Sequence, residues 1–345
     1  MSAQIYYEKD ATLDLLDGKK VVFIGYGNQG RAQCLNLRDT IAQHQFQQPP
    51  KILASSLNDK YAATCREDGV DFTTDFRNAA SQANVLFLLI PDHFQPGLFN
   101  DQLAPVLQKG AVIVVASGYN YFYKKLKIDS TQDVVMVAPR MIGTSVRSLF
   151  VKGQGFPCFI SAEQDGTGKA HEWSLTLAKG IGALRKGAIK SSCREETLID
   201  LFAEQALFPT IITVFEQAYT VLKNLGCSDE ALCFELFLSK EPAEIFEKMA
   251  DDGFVRQLVH HSTVSQYGQL KGALNFPQDI IRPLVKEFSR VAEQRVLDGK
   301  FAEEFTSIEE NDTNGVQVEL DRLYKQAEQS DLAKGEAKVR SRLGL

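Results

Sequence analysis

Gly25, Gly27 and Gly30 stand in the spacing G-x-G-x-x-G, with the apolar run KKVVFI directly before them and the amphipathic stretch RAQCLNLRDTIAQ directly after. Strand, tight turn and helix in that order open a βαβ unit, and few folds other than a doubly wound α/β domain accept it. Gly25 permits the turn, Gly27 lets a pyrophosphate approach the backbone, and Gly30 lets the helix pack close to the strand. Amide groups at the start of that helix, around Tyr26, Asn28 and Gln29, then receive the phosphates. The expected ligand is a dinucleotide.

The alternation continues through KILAS, a polar helix, ANVLFLLIPD, GAVIVVASGYN and DVVMVAPR. Apolar runs without period-two polarity mark strands buried on both faces, as in a parallel sheet covered by helices. After about residue 192 the strand signals stop, and EETLIDLFAEQALFPTIITVFEQAYTVLKNLG carries apolar residues at helical spacing. The reading is therefore a Rossmann domain over 1–191 and an all-helical substrate and dimerisation domain over 192–345. At 345 residues the chain is too long for one ordinary core. Apolar faces in the second domain suit burial against another copy, so a homodimer is expected.

Charge and hydropathy exclude other classes. Lys and Arg number 38 against 44 Asp and Glu, a net charge of −6 with no basic stripe for nucleic acid. The longest apolar runs, Val85 to Pro91 and Ala111 to Ala116, fall short of the roughly 20 residues a bilayer crossing needs, so no membrane span is expected. The N-terminus MSAQIYYEKDATLDLL carries acids where a signal peptide would be basic and then apolar, which reads as cytoplasmic. Six cysteines without a CxxC pair read as reduced thiols.

Candidate ligand-binding residues follow from the strand ends. Past KILAS, in SSLNDKY, Ser56 and Asp59 are placed to meet the adenosine ribose. An acid accepts hydrogen bonds from ribose hydroxyls and repels a 2′-phosphate, which favours NADH over NADPH. Pro91 and Asp92 after one strand and Ser117 and Gly118 after the next complete the cofactor set. Asp200 and Glu204 are i, i+4 on one helix face, and with Glu235 on the next helix they offer the oxygen ligands Mg²⁺ prefers. Judged from spacing alone, such a pair is more usually a solvated acidic surface.

The chain resembles the ketol-acid reductoisomerases over nearly its whole length. The segments that carry the likeness are YYEKDATLDLLDGKKVVFIGYGNQGRAQCLNLRD, LLIPD, VMVAPR, QDGTGKAHEWSLTLAKGIGALRKG, EETLIDLFAEQA, CFE, HSTVSQYG and GEAKVRSRL. The resemblance implies a Rossmann domain, a knotted helical dimerising domain, and an active site between them. It also implies two Mg²⁺ ions on carboxylates that correspond to Asp200, Glu204 and Glu235 with a fourth one turn later, and a substrate-holding serine at Ser262. Family members isomerise an acetohydroxyacid by metal-dependent alkyl migration and then reduce it with NAD(P)H.

Three departures stand out. Ser117-Gly118-Tyr119-Asn120 replaces a sequence that begins with histidine, Pro139-Arg140 replaces Pro-Lys, and Ser239 replaces the fourth carboxylate. Arginine keeps the charge but does not readily give up a proton. The expected activity is therefore reduction of a small keto acid, ketol acid or imine, with Asp200, Glu204, Arg140 and Ser117 as catalytic candidates, Glu235 and Ser262 at the substrate, and one Mg²⁺ or none. The isomerase step is expected to be altered or lost. A genuine ketol-acid reductoisomerase and a non-catalytic cofactor-binding dimer are the competing readings.

Overall fold

The computed structural model describes residues 2–57, 59–311 and 315–345, with the side chains of Asp59, Lys60, Glu310 and Asn311 outside the description. It divides into two compact units, Met1–Ile199 and Asp200–Leu345. The division falls eight residues beyond the 191/192 boundary read from the sequence. The cause is local: the first turns of the helix Cys193–Phe202 hydrogen-bond to the sheet unit through Glu196.

The first unit runs β1 (Ile5–Tyr6), β2 (Lys20–Ile24), α1 (Asn28–Gln43), β3 (Lys51–Ser55), α2 (Asp59–Glu67), β4 (Asp71–Thr73), α3 (Phe76–Ser81), β5 (Val85–Leu88), α4 (Gln95–Leu98), β6 (Val112–Val115), α5 (Tyr119–Phe122), β7 (Asp133–Pro139), α6 (Gly143–Val151), β8 (Cys158–Asp165), α7 (Ala170–Gly180), β9 (Ala188–Lys190) and the start of α8 (Cys193–Phe202). The nine strands form one sheet in the order β1-β9-β8-β7-β6-β5-β2-β3-β4. From β4 to β7 all neighbours are parallel, as the apolar runs predict. Beyond β7 the sheet is mixed, since β8 lies antiparallel to β7 and β1 antiparallel to β9. Those edge strands correct the purely parallel expectation. Two of them, β1 and β9, are two and three residues long, too short to make a period.

Side chains on β2 alternate between two cores. Val21 and Phe23 join Cys34 and Leu37 of α1 and Trp173 and Leu177 of α7, whereas Val22 and Ile24 join Phe76, Ala79 and Ala80 of α3. Phe23 lies opposite Phe87 in the β2–β5 register, and their rings stack with centroids 4.3 Å apart. With both faces of the strand buried, every residue from Val21 to Ile24 must be apolar, which explains the unbroken run.

The second unit is helical in every described element: the rest of α8, then α9 (Phe208–Asn224), α10 (Asp229–Cys233), α11 (Glu241–Asp252), α12 (Thr263–Leu274), α13 (Gln278–Val291), α14 (Lys300–Asn311), α15 (Gly315–Ala327) and α16 (Asp331–Leu343). Its small core gathers Tyr219, Leu232, Cys233 and Val339. The buried Tyr219 hydroxyl donates to Asp229 at 2.5 Å, and a side chain at Gly335 would collide with it. Ser228, Ser262 and Ser330 cap the starts of α10, α12 and α16. Cys193–Asn224 is helical throughout, with a widened turn at Ala203–Leu207, and by length and composition is long and apolar enough to cross a membrane, with only 11% of its most apolar stretch buried. The uninterrupted runs of the sequence do not single out this stretch, because residues such as Thr210, Thr213 and Glu216 break it.

Candidate functional site

A cleft of about 980 Å³ opens at the carboxyl ends of β2, β3, β5 and β6, which is where open α/β sheets receive ligands. Gly25, Tyr26, Gly27, Asn28, Gln29, Ser56, Pro91, Asp92 and Ser117 line it, as the motif reading expects. Each glycine of the motif has a distinct reason. Gly25 has φ +100°, and a Cβ there would sit 2.7 Å from the carbonyl oxygen of Leu89. At Gly30 a Cβ would lie 2.2 Å from the Gly25 carbonyl oxygen, so the helix reaches its strand only without a side chain. At Gly27 the nearest atom to an added Cβ is the Tyr61 hydroxyl at 4.0 Å. The protein itself does not need that space, and a pyrophosphate does.

Gly118 departs from its expected place. It does not line the cleft; its amide donates to the Glu196 carboxylate at 2.7 Å, and a Cβ there would lie 2.3 Å from the carbonyl oxygen of Cys193. The loop after β6 is thus pressed against the start of α8. Asp59, the expected ribose reader, opens α2, but its side chain lies outside the described residues.

Glu196 is the residue the sequence reading missed. It is only 2% exposed, and its second carboxylate oxygen accepts from the Arg140 guanidinium at 2.7 Å. Arg140 follows directly on β7 and lies over the Phe159 ring, 5.1 Å from its centroid. A buried carboxylate needs such partners, because removing one from a buried pair costs about 3–5 kcal/mol. The signal was present in the spacing, since Glu196, Asp200 and Glu204 follow one another every fourth residue. Asn120 was missed as well: buried, it donates to the Asp92 carbonyl at 2.8 Å and to Gln95 at 3.0 Å, tying together the loops after β5 and β6.

In the second unit the carboxylates fall on widened turns. Glu204 lies in a π-turn, Ala203–Leu207, that interrupts the helix just after Asp200, and Glu235 lies in a second, Phe234–Leu238. Such bulges re-aim side chains and recur at functional sites. Glu204 and Glu235 are exposed. Ser262 is exposed too and accepts from the Ser265 amide, a helix-capping bond. Among the described residues no three His, Cys, Asp or Glu side chains gather where one metal ion could hold them together.

A glycine-turn cleft on a doubly wound sheet, followed by an all-helical unit, defines a two-domain Rossmann oxidoreductase. The acetohydroxy acid isomeroreductase NADPH-binding domain matches residues 15–187, and the ketol-acid reductoisomerase C-terminal domain matches residues 193–344. A ketol-acid reductoisomerase (NADP(+)) of Pyrobaculum calidifontis is 37% identical over 304 residues, 88% of each chain. One from Bifidobacterium animalis subsp. lactis is 35% identical over 306 residues, covering 88% of this chain and 83% of its own. The solved structure of an NADH-preferring ketol-acid reductoisomerase from an uncultured archaeal source shares the fold, with a TM-score of 0.81, 24% identity and 98% coverage of both chains. The chain belongs to the ketol-acid reductoisomerase family and is an NAD(P)-dependent oxidoreductase.

Proposed function

We propose that this chain reduces a small 2-keto acid, ketol acid or imine with hydride from NADH, and that the isomerase step of its relatives is lost or severely weakened. The observation that carries this reading is Arg140, whose guanidinium is held 2.7 Å from the buried Glu196 carboxylate. A guanidinium stays protonated throughout the working range, so at this position it orients an oxygen without exchanging a proton. Ser117, in the cofactor cleft, supplies a hydroxyl where relatives place an imidazole that could titrate near neutral pH. Reduction asks less of the site: a bound nicotinamide would supply hydride to a carbonyl or imine carbon, with the π electrons taken up by oxygen or nitrogen and a proton from water or a nearby acid completing the product. Alkyl migration, by contrast, needs adjacent oxygens polarised together.

Mg²⁺ is in this reading dispensable for the hydride step, with Asp200, Glu204 and Glu235 able to hold at most one ion or to act as polar contacts. NADH preference rests on Asp59, the acid in the ribose-facing segment. A homodimer is inferred from the second unit, where Ile212, Val214 and Val221 of α9 stand exposed on a helix apolar enough to need cover. A cytoplasmic setting fits six unpaired cysteines, five of them buried.

The test supplies NADH with 2-acetolactate and saturating Mg²⁺ and, separately, with the already isomerised 3-hydroxy-3-methyl-2-ketobutyrate, with and without chelator. Reduction of the second compound alone supports the proposal. Efficient conversion of 2-acetolactate would establish a genuine ketol-acid reductoisomerase, the reading favoured by the full-length family match. NADH binding without turnover of any keto acid or imine would favour a non-catalytic dimer.

A further inference from the structure

Tyr26, between the first two glycines of the motif, faces inward. Its ring is buried in the core cluster that holds Cys34 and Leu35 of α1 and Cys65 of α2, and its hydroxyl donates to the Asp68 carboxylate at 3.0 Å. Asp68 follows α2 directly. The same carboxylate accepts two hydrogen bonds from Arg31 in the first turn of α1, from Nε at 2.7 Å and from the second terminal nitrogen at 2.8 Å. Its backbone carbonyl accepts from Arg38, two turns further along that helix. One residue therefore grips the cofactor loop and the helix behind it at three points, from 30 to 42 residues away in sequence.

The geometry points to Asp68 as a positioning residue for the dinucleotide: through the Tyr26 hydroxyl and the Arg31 guanidinium it fixes the backbone of the glycine turn and so sets how tightly the cofactor is held. The physical reason is conformational. One end of the turn is anchored by the Gly25 amide on the Ser55 carbonyl at 2.8 Å, and the other continues into α1. Between those ends Gly25 and Gly27 lack side chains, so Tyr26 is the residue through which packing can hold the turn. If the turn is free, only a fraction of molecules presents its amides to the pyrophosphate, and apparent affinity falls by that fraction. The Arg31 pair, charge-assisted and bidentate, keeps the carboxylate aimed at the hydroxyl.

The inference rests on cofactor binding at this cleft, and NADH titration of the full-length protein, read by fluorescence, tests it without any substrate. Asp68→Asn keeps the shape but weakens the bidentate pair, and Tyr26→Phe removes only the hydroxyl. Asp39→Asn is the structural control: Asp39, on α1, is a partly buried carboxylate bound by Arg38 and Arg147, and although it shares Arg38 with the Asp68 carbonyl it touches neither Tyr26 nor Arg31, through which the turn is held. Expected are a Kd for NADH raised about tenfold in Asp68→Asn and less in Tyr26→Phe, equivalent to about 1.4 kcal/mol for the former. Asp39→Asn should lower the melting midpoint as much as Asp68→Asn does and leave Kd where it was. An unchanged Kd in Asp68→Asn overturns the inference while leaving the cofactor site intact. If Asp68→Asn does not fold, Tyr26→Phe decides in the same way. A parent protein that binds no NADH overturns both this inference and the proposed function.

Discussion

The two units of the chain treat apolar residues in opposite ways. In the first, Val21, Val22, Phe23 and Ile24 are all completely buried, enclosed by helices of the same chain. In the second, Ile212 is 62% exposed, Val264 84% and Leu274 83%, on helices that would bury such residues in a self-sufficient bundle. The sheet unit completes its own core, and the helical unit carries apolar area to spare. Such area is kept where another protein surface covers it, and a second copy of the same unit is the occupant proposed above.

The largest effect expected is at the closed core. Phe23→Ala removes a ring stacked on Phe87, and the loss should be about 3–5 kcal/mol in chemical denaturation. A loss below about 1 kcal/mol would mean that the sheet is less tightly closed than it looks. On the open side, Ile212→Asp sharpens the comparison. Read from one chain alone, it should change stability by no more than about 0.5 kcal/mol. With a second copy covering α9, burial of that side chain is worth about 1.5–3 kcal/mol, and sedimentation velocity should show the dimer shifting to monomer. A parent that sediments as a monomer at every concentration breaks the comparison outright.

A smaller effect separates space kept for a ligand from space required by the fold. Gly27→Val should weaken NADH binding tenfold or more, at least about 1.4 kcal/mol, with little change in melting midpoint, because the added side chain meets open cleft. Unchanged cofactor affinity there would move the pyrophosphate elsewhere. Gly25→Val, at φ +100° and against the Leu89 carbonyl, should damage folding as well.

The smallest effect is electrostatic. Burial pushes the Asp39 carboxyl up, but the Arg38 and Arg147 guanidinium groups outweigh it and hold it below the usual carboxylate range. Arg31 does the same for Asp68, aided by the Tyr26 hydroxyl. Carboxylates lowered in the folded state contribute stability that is present above their unfolded value of about 3.9 and lost as pH falls through the folded value. The stability gap between the parent and Asp39→Asn should therefore be constant at neutral pH and close below about pH 4. A gap that instead widens on acidification would assign Asp39 the wrong sign.

Much of this was legible in the sequence wherever a local pattern has one physical solution. The glycine spacing after an apolar run permits only the strand, turn and helix observed, and the runs in β5, β6 and β7 could be buried only on both faces. Short edge strands such as β1 and β9 were not legible, because two or three residues make no period. Helix α8 and its continuation hid their apolar length behind scattered polar residues. Asp59 was legible as a residue type, yet its partner depends on a loop conformation that spacing does not specify.

The sequence by itself determined the parallel part of the sheet, the dinucleotide turn, the helical second half and the likeness to a reductoisomerase, along with the identities of Ser117, Arg140 and Ser239. These are properties of short windows, where covalent geometry and burial leave few choices. Only the tertiary structure decided that Arg140 meets Glu196 across 56 positions, that Gly118 serves α8 rather than the cleft, and that Asp68 holds Tyr26 across 42. Hydrogen bonds are short-ranged and directional, so which polar groups pair depends on where the chain crosses itself, and no local window records that crossing.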